Sequence, residues 1–290
     1  MKIVASLQEK IEYSKDLIRC WYESWDGKVY VAFSGGWDST VLLHLVRSMY
    51  PEVVGVFNNT GLEFPEIVEF VKSTENVITI YPKMPFHQVV EKYGWPVISK
   101  EQSQFLSDIR NTKSEVLRNT RLNGNRWGRG KVSKKWRFMI DAPFKVSHKC
   151  CEKLKKAPSQ AFCKRTGLQP MLGNTAEESA LRATTANRYS CNAYENRHPS
   201  SKPLTYWTHK DVGKYLALYK VPYSKIYDMG YSRTGCMFCL YGLQRNNPNK
   251  IQQLHKTHPK YWEFIINKMG AKEVLEFMNI PYESEVINGK

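Results

Sequence analysis

The chain has 290 residues, 42% of them hydrophobic, and sets 43 lysines and arginines against 27 acidic residues for a formal net charge of +16. That is enough to fill the core of one large α/β domain or of a domain with an appendage, and the excess positive charge favours polyanionic partners. No stretch approaches the roughly 20 apolar residues of a membrane span, and the N-terminal MKIVASLQEKIEYSKDLIRC mixes charges every few residues, unlike a secretory signal.

The expected setting is therefore cytoplasmic, without membrane contact. Seven cysteines there do not read as a disulfide framework; clustered ones in that compartment bind metal or do redox chemistry.

In chain order, Leu7, Ile11, Ile18, Trp21 and Trp25 recur at near-helical spacing and predict a helix within residues 1–28, ending near Asp26. KVYVAF then reads as a buried strand, STVLLHLVRSMY as a helix, and EVVGVF and NVITIY as further strands. This rhythm predicts an α/β fold over 29–235, a doubly wound parallel sheet with helices on both faces.

From about residue 100 to 150 the pattern weakens, and an insertion over about 104–148, or a mobile loop, is expected. Within it, Arg110 to Arg137 holds ten basic residues and one acid, Glu115. Such a run is either a solvated surface or a nucleic-acid contact through Arg126, Arg129, Lys134 and Lys135, with Trp127 and Trp136 offering faces for base stacking. THKDVGKYLALYK predicts a helix with Thr208 as N-cap and Asp211 at the third position of a capping box. Residues 236–290 begin with a cysteine pair and continue as a helical C-terminal part.

Two stretches carry chemistry. In VAFSGGWDST, Ser34, Gly35 and Gly36 join a strand directly to a helix, so bare backbone N–H groups converge where the helix start adds partial positive charge. Asp38 suits a magnesium ion and Ser39 a phosphate oxygen. An ordinary Gly-Gly turn reads the same way, and the motif is shorter than either the dinucleotide fingerprint or the Walker loop.

The second stretch is the vicinal pair Cys150–Cys151, matched far downstream by Cys236 and Cys239 as C-x-x-C. Four soft ligands suit an iron–sulfur cluster or zinc; unrelated buried thiols are the competing reading. Of the remaining cysteines, Cys20, Cys163 and Cys191, the last lies in polar RYSCNAYENR and is the least core-like.

SGGWDS resembles the PP-loop of the adenine-nucleotide α-hydrolase superfamily, whose members bind ATP or an adenylyl compound and act at the α-phosphate. VFNNTGLEFPE resembles the second-strand motif of 3'-phosphoadenosine-5'-phosphosulfate reductase relatives, with Asn59 in place of the usual aspartate and Thr60 and Gly61 retained. GNTAEESALR is similar to G-x-R-x-x-E-S-x-x-R, with Gly173, Glu178, Ser179 and Arg182 in place and Thr175 where the arginine stands. PLTYWTHKDV and GYSRTGCMFC, with Arg233, follow two further family patterns.

The resemblance runs from about Asp26 to Gly242. It implies a nucleotide site at Ser34, Gly35, Gly36, Asp38, Ser39, Thr60, Gly61, Gly173, Glu178 and Ser179, with Asp38, Arg182 and Arg233 as catalytic groups and ATP and Mg²⁺ bound. The cysteine arrangement is similar to the [4Fe–4S] ligand set of the family's iron–sulfur adenylylsulfate reductases, which implies the same cluster on Cys150, Cys151, Cys236 and Cys239.

Assimilatory reductases of the family carry a C-terminal E-C-G-L-H-type tail whose cysteine attacks the bound sulfonyl sulfur. Here the sequence reads NIPYESEVINGK, and no cysteine follows Cys239. The expectation is a relative that activates a nucleic acid for sulfur transfer, as in DNA phosphorothioate modification or, more distantly, tRNA thiolation, served by a cysteine desulfurase or another sulfur donor. Adenylylsulfate reduction and nucleotide-sensing nucleic-acid binding around a structural cluster are the alternatives.

Overall fold

The computed structural model describes residues 6–179, 182–184, 186 and 190–284. Its strands are β1 (Val29–Ala32), β2 (Gly55–Asn58), β3 (Val77–Ile80), β4 (Val97–Ile98), β5 (Gln169–Leu172), β6 (Asn192–Ala193), β7 (Ser200–Ser201) and β8 (Leu240–Tyr241). The chain divides into two compact units that do not follow chain order. The first comprises 1–59, 63–82 and 157–234; the second comprises 60–62, 83–156 and 235–290.

The first unit holds a six-stranded sheet in the order β3-β2-β1-β5-β7-β6. All its pairings are parallel except β6 with β7. The expected parallel α/β sheet is thus present, with β1 between β2 and β5. Val29, Tyr30 and Val31 of β1 are buried, as are Val41, Leu42, Leu43, Leu45 and Val46 on the following helix Trp37–Arg47. Each such side chain taken from water contributes about 1.5–3 kcal/mol.

The N-terminal helix, Leu7–Ser24, starts at a Ser6–Glu9 capping box and buries Ile11, Ser14, Ile18 and Trp21. Ser14 is polar but satisfied: its hydroxyl donates to the Pro203 carbonyl (2.9 Å) and accepts from the Trp207 indole N–H (2.9 Å). The helix His209–Leu218 has the predicted cap, with the Thr208 side chain and Asp211 bonded reciprocally. Lys10 adds an ion pair to Asp211 at 2.6 Å, tying this cap to the N-terminal helix.

Burial raises the Asp211 carboxyl, but its bonds with Lys10 and Thr208 outweigh that and hold it below its ordinary value. The cap's stabilisation is therefore present above the ordinary carboxylate range near about 4 and is lost as pH falls through the lower folded value. Asp211→Ala is expected to cost about 1–2 kcal/mol at neutral pH. A urea midpoint unchanged between mutant and wild type at pH 7 would refute this; the two should converge at low pH.

The second unit contains a small parallel pair, β4 with β8, and a parallel bridge from Trp95 to Val146. Gly94 allows that bridge. Its φ is +108°, and a Cβ there would lie 2.4 Å from the Lys145 carbonyl carbon. Where the sequence pattern weakens, the structure has helices Lys100–Asn111 and Glu115–Asn123. The second of these buries nothing. The C-terminal part is helical as expected, with Lys250–Thr257, Pro259–Glu263 and Ala271–Phe277. Among the described residues no helix is long and apolar enough to cross a membrane.

Candidate functional site

The first unit assembles a turn, a carboxylate and two arginines. β1 delivers Ser34, Gly35 and Gly36 to the N-terminus of Trp37–Arg47, with Gly36 as N-cap and no side-chain cap. Gly35 has φ +72°, and a Cβ on it would meet Ile67 Cγ2 at 2.9 Å. A Cβ on Gly36 would stand 2.7 Å from the Thr234 hydroxyl oxygen. Gly173, just after β5, is a third close approach, its absent Cβ 2.9 Å from the Asp38 carbonyl. The glycines thus let backbone and hydroxyls crowd the helix start.

Hydroxyls satisfy the turn. The Ser34 N–H donates to Ser39 Oγ (3.1 Å), the two serine hydroxyls are 3.0 Å apart, and Ser39 Oγ donates to the Gly36 carbonyl (2.9 Å). The Trp37 N–H donates to the Tyr227 hydroxyl at 2.8 Å. The Trp37 ring lies stacked on Tyr227 (centroids 4.6 Å) and on His209 (5.1 Å). Tyr227 and Thr234 come from nearly 200 residues downstream; Thr234 fills an unspecified position of the GYSRTGCMFC pattern and Tyr227 lies just before it, so neither stands out in the sequence.

Burial pushes the Asp38 carboxyl up, against the opposing pull of His209, Arg233 and Arg182. Both arginines pair with Glu178: Arg182 through Nη1, and Arg233 through Nη2 at 2.9 Å. The Thr175 N–H donates to Glu178 Oε1 (3.2 Å), so the residue in the arginine position of the motif serves as a helix cap. Ser179 Oγ accepts from the Arg182 N–H at 3.3 Å. Asp38, Glu178, Arg182 and Arg233 thus form one charged cluster in this unit.

Thr60 and Gly61 belong to the second unit. There the adjoining Leu62 carbonyl accepts the Met237 N–H at 2.8 Å, inside the C-x-x-C turn. All four paired cysteines also lie in that unit. Cys150 and Cys151 precede a π-helical segment, Glu152–Lys156, a distortion common at functional sites. The Cys239 N–H donates to the Cys236 carbonyl (3.2 Å), which also accepts from Lys250 Nζ (3.0 Å).

Burial first, then Cys151, Cys236 and Cys239, pushes the Cys150 thiol up; burial and Cys239 do the same to Cys151. The two pairs therefore lie within electrostatic reach of each other, where Lys155 draws Cys150 and Cys151 back down. Lys149 and Lys153 are engaged with Glu152, at 3.0 Å and 3.3 Å.

Among the described residues no three His, Cys, Asp or Glu side chains form a group that could hold a metal ion. A [4Fe–4S] cluster takes one thiolate at each of four irons, so its ligands ring a site instead of meeting at a point. Four partly buried thiols with a lysine beside them fit that donor chemistry. Magnesium is usually held by one or two carboxylates plus phosphate oxygens, which Asp38 fits.

Two sequence expectations change. Cys191, expected to be the least core-like lone cysteine, is buried, whereas Cys20 is exposed. Trp136, offered as a stacking face, is also buried. By contrast, Arg126, Arg129, Lys134 and Lys135 are all exposed.

Residues 28–118 and 125–241, more than half of the chain, match the family model described as the phosphoadenosine phosphosulfate reductase domain. An uncharacterised protein of Methanocaldococcus jannaschii is 27% identical over 246 residues, 83% of this chain but 41% of that one. The chain thus spans about two fifths of that relative. Adenosine 5'-phosphosulfate reductases of Geobacillus kaustophilus and of a Geobacillus sp. are 24% and 27% identical, each match covering 77% of both chains.

A phosphoadenylyl-sulfate reductase from Candida auris aligns at TM-score 0.45 and 17% identity, over 81% of this chain and 98% of that one. An FMN adenylyltransferase from Candida glabrata aligns at TM-score 0.46 and 12% identity, over 81% and 65%. With its PP-loop turn and five ordered motifs, the chain belongs to the phosphoadenosine phosphosulfate reductase domain family of PP-loop proteins.

Proposed function

We propose that the chain is a PP-loop enzyme that splits ATP between its α- and β-phosphates to activate a nucleic acid for sulfur transfer. The observation that carries this reading is the cluster at the helix start: a glycine turn, Asp38 in front of it, and Arg182 and Arg233 acting on that carboxylate.

An oxygen of the acceptor attacks the α-phosphorus, the bond to the bridging oxygen breaks, and pyrophosphate leaves with that electron pair. The terminal sulfur of a donor persulfide, such as that of a cysteine desulfurase partner, then displaces AMP. A second thiol breaks the remaining S–S bond, leaving the sulfur on the acceptor and joining the two thiols as a disulfide. The turn from Ser34 to Gly36 with Ser39 holds the leaving phosphates, and Asp38 would hold the magnesium that neutralises their growing charge. Arg182 and Arg233, braced by Glu178, would steady the α-phosphate. Gly173 lets β5 lie against the start of the helix Trp37–Arg47, and Ser179 accepts the Arg182 N–H. Cys150, Cys151, Cys236 and Cys239 would hold a [4Fe–4S] cluster, which supplies redox capacity and joins two distant segments.

The second reading is adenylylsulfate reduction, favoured by the 24% identity over 77% of both chains to a reductase. There a thiol attacks the sulfonyl sulfur and AMP leaves; a second thiol, from thioredoxin, then displaces sulfite and forms a disulfide. Cys163 is packed with the Tyr30 cluster, Cys191 is buried and Cys20 is exposed, so the attacking thiol would come from Cys20 or from a partner.

One experiment separates the two. Reconstituted protein is incubated with ATP and magnesium, with and without nucleic acid, and separately with adenylylsulfate and thioredoxin. Pyrophosphate is expected, faster with the acceptor, and reduced about 100-fold or more in Asp38→Ala. Sulfite without pyrophosphate would replace the first reading with the second.

A further inference from the structure

Resting on the nucleic-acid reading above, we propose that the acceptor meets the second unit as a single strand, with an unpaired base stacked on Trp127. Trp127 sits on the turn that follows Glu115–Asn123, and 65% of its surface is exposed. One exposed aromatic is ordinary on a protein surface. What distinguishes this one is how it is held and what surrounds it.

The turn is rigid by construction. The Asn125 side-chain oxygen accepts from the N–H groups of Trp127 and Arg129, each at 3.0 Å. The Asn125 N–H donates to the Arg129 carbonyl (2.8 Å), and the Gly128 N–H to the Asn125 carbonyl (2.7 Å). Gly124 and Gly128 have φ +97° and +70°, and a Cβ on Gly124 would lie 2.8 Å from the Gly128 backbone. At its base Arg121 spans the loop, bonding the Gly130 carbonyl (3.0 Å) and pairing with Asp108 (2.8 Å). A ring presented on such a frame loses little freedom when it stacks.

The surroundings are cationic. The Arg126 guanidinium lies 3.9 Å from the Trp127 ring centroid. Arg118, Arg129, Lys131, Lys134, Lys135 and Arg137 are exposed along the same stretch, and no acid occurs between Val116 and Ile140. A flat ring beside fixed positive charge suits a base with its phosphate. Bases in a duplex already have their faces covered by stacking, so an unpaired base is the one that fits. In the chain Trp127 is flanked by Arg126, Gly128 and Arg129, not by the further apolar residues that insertion into a lipid surface needs.

The test is fluorescence anisotropy of the full chain with a labelled oligodeoxythymidine, an oligouridine, a DNA duplex and anionic phosphatidylserine vesicles. Both single strands, or one of them, should bind more tightly than the duplex, and the pair shows whether DNA or RNA is preferred. Affinity should fall steeply with salt through phosphate contacts. Trp127→Ala should weaken single-strand binding on the order of ten-fold, and Trp127→Phe should restore most of it.

Single-strand binding should also quench a tryptophan signal that Trp127→Phe lacks. Equal affinity of the Trp127→Ala chain, tighter binding of duplex, or binding of vesicles alone would overturn the proposal. Pyrophosphate release by wild type in the same preparation distinguishes this failure from failure of the ATP chemistry. Release of pyrophosphate by a chain that binds no single strand would sink the Trp127 surface and leave the nucleotide chemistry standing.

Discussion

A folded Gly36→Val chain is expected to bind ATP on the order of 100-fold more weakly than wild type. The added Cβ would stand 2.7 Å from the Thr234 hydroxyl oxygen and 3.3 Å from that of Tyr227. Forcing bulk into such a space costs about 1–3 kcal/mol, and two further methyl groups would screen the backbone from a phosphate. Thr234 and Tyr227 share a weak hydrogen bond at 3.4 Å, and Tyr227 also takes the Trp37 N–H, so neither can retreat freely.

Gly213→Ala is the control. A Cβ there meets only the Trp37 ring, at an ordinary 3.7 Å, and affinity should stay unchanged. Isothermal titration with ATP and magnesium decides, with circular dichroism to confirm folding. Unchanged affinity in the valine variant would remove the nucleotide site from this turn.

The second large effect concerns the thiols. Protein purified without oxygen is expected to be brown and to carry about four irons per chain. Replacing Cys150, Cys151, Cys236 or Cys239 by serine should each abolish the colour and most of the iron. Cys20→Ser, at an exposed position, should change neither. Loss of the cluster should also lower the melting temperature, because the ligands come from two separate stretches of the second unit. Stoichiometric zinc without iron would refute the assignment.

How much of the fold and site was legible follows from the range of each interaction. The first three strands announce themselves through β-branched and aromatic runs. The Thr208–Asp211 cap is a matter of four consecutive residues. β5 is hidden, although it pairs with β1 along its whole length: Gln169 and Pro170 are poor strand formers, and only its neighbours make it a strand. The helix Glu115–Asn123 buries nothing, so it has no apolar stripe to read.

At the site, glycines, serines and Asp38 form a contiguous motif and could be found. Tyr227 on the Trp37 N–H joins residues 190 positions apart, and Glu178 meets Arg233 across 55. No local signal encodes such a partner.

The division of the second unit into separated stretches sets an order of events during synthesis. Cys150 and Cys151 belong to its 83–156 stretch, Cys236 and Cys239 to its 235–290 stretch, and the whole of 157–234 goes to the other unit. At about 5–20 residues per second, a ribosome leaves the first pair waiting on the order of 4–17 s for the second. Throughout that interval the vicinal thiols stand without their downstream partners. A nascent chain stalled before Cys236 should therefore react with a thiol-modifying reagent at both positions, and only the finished chain can protect them.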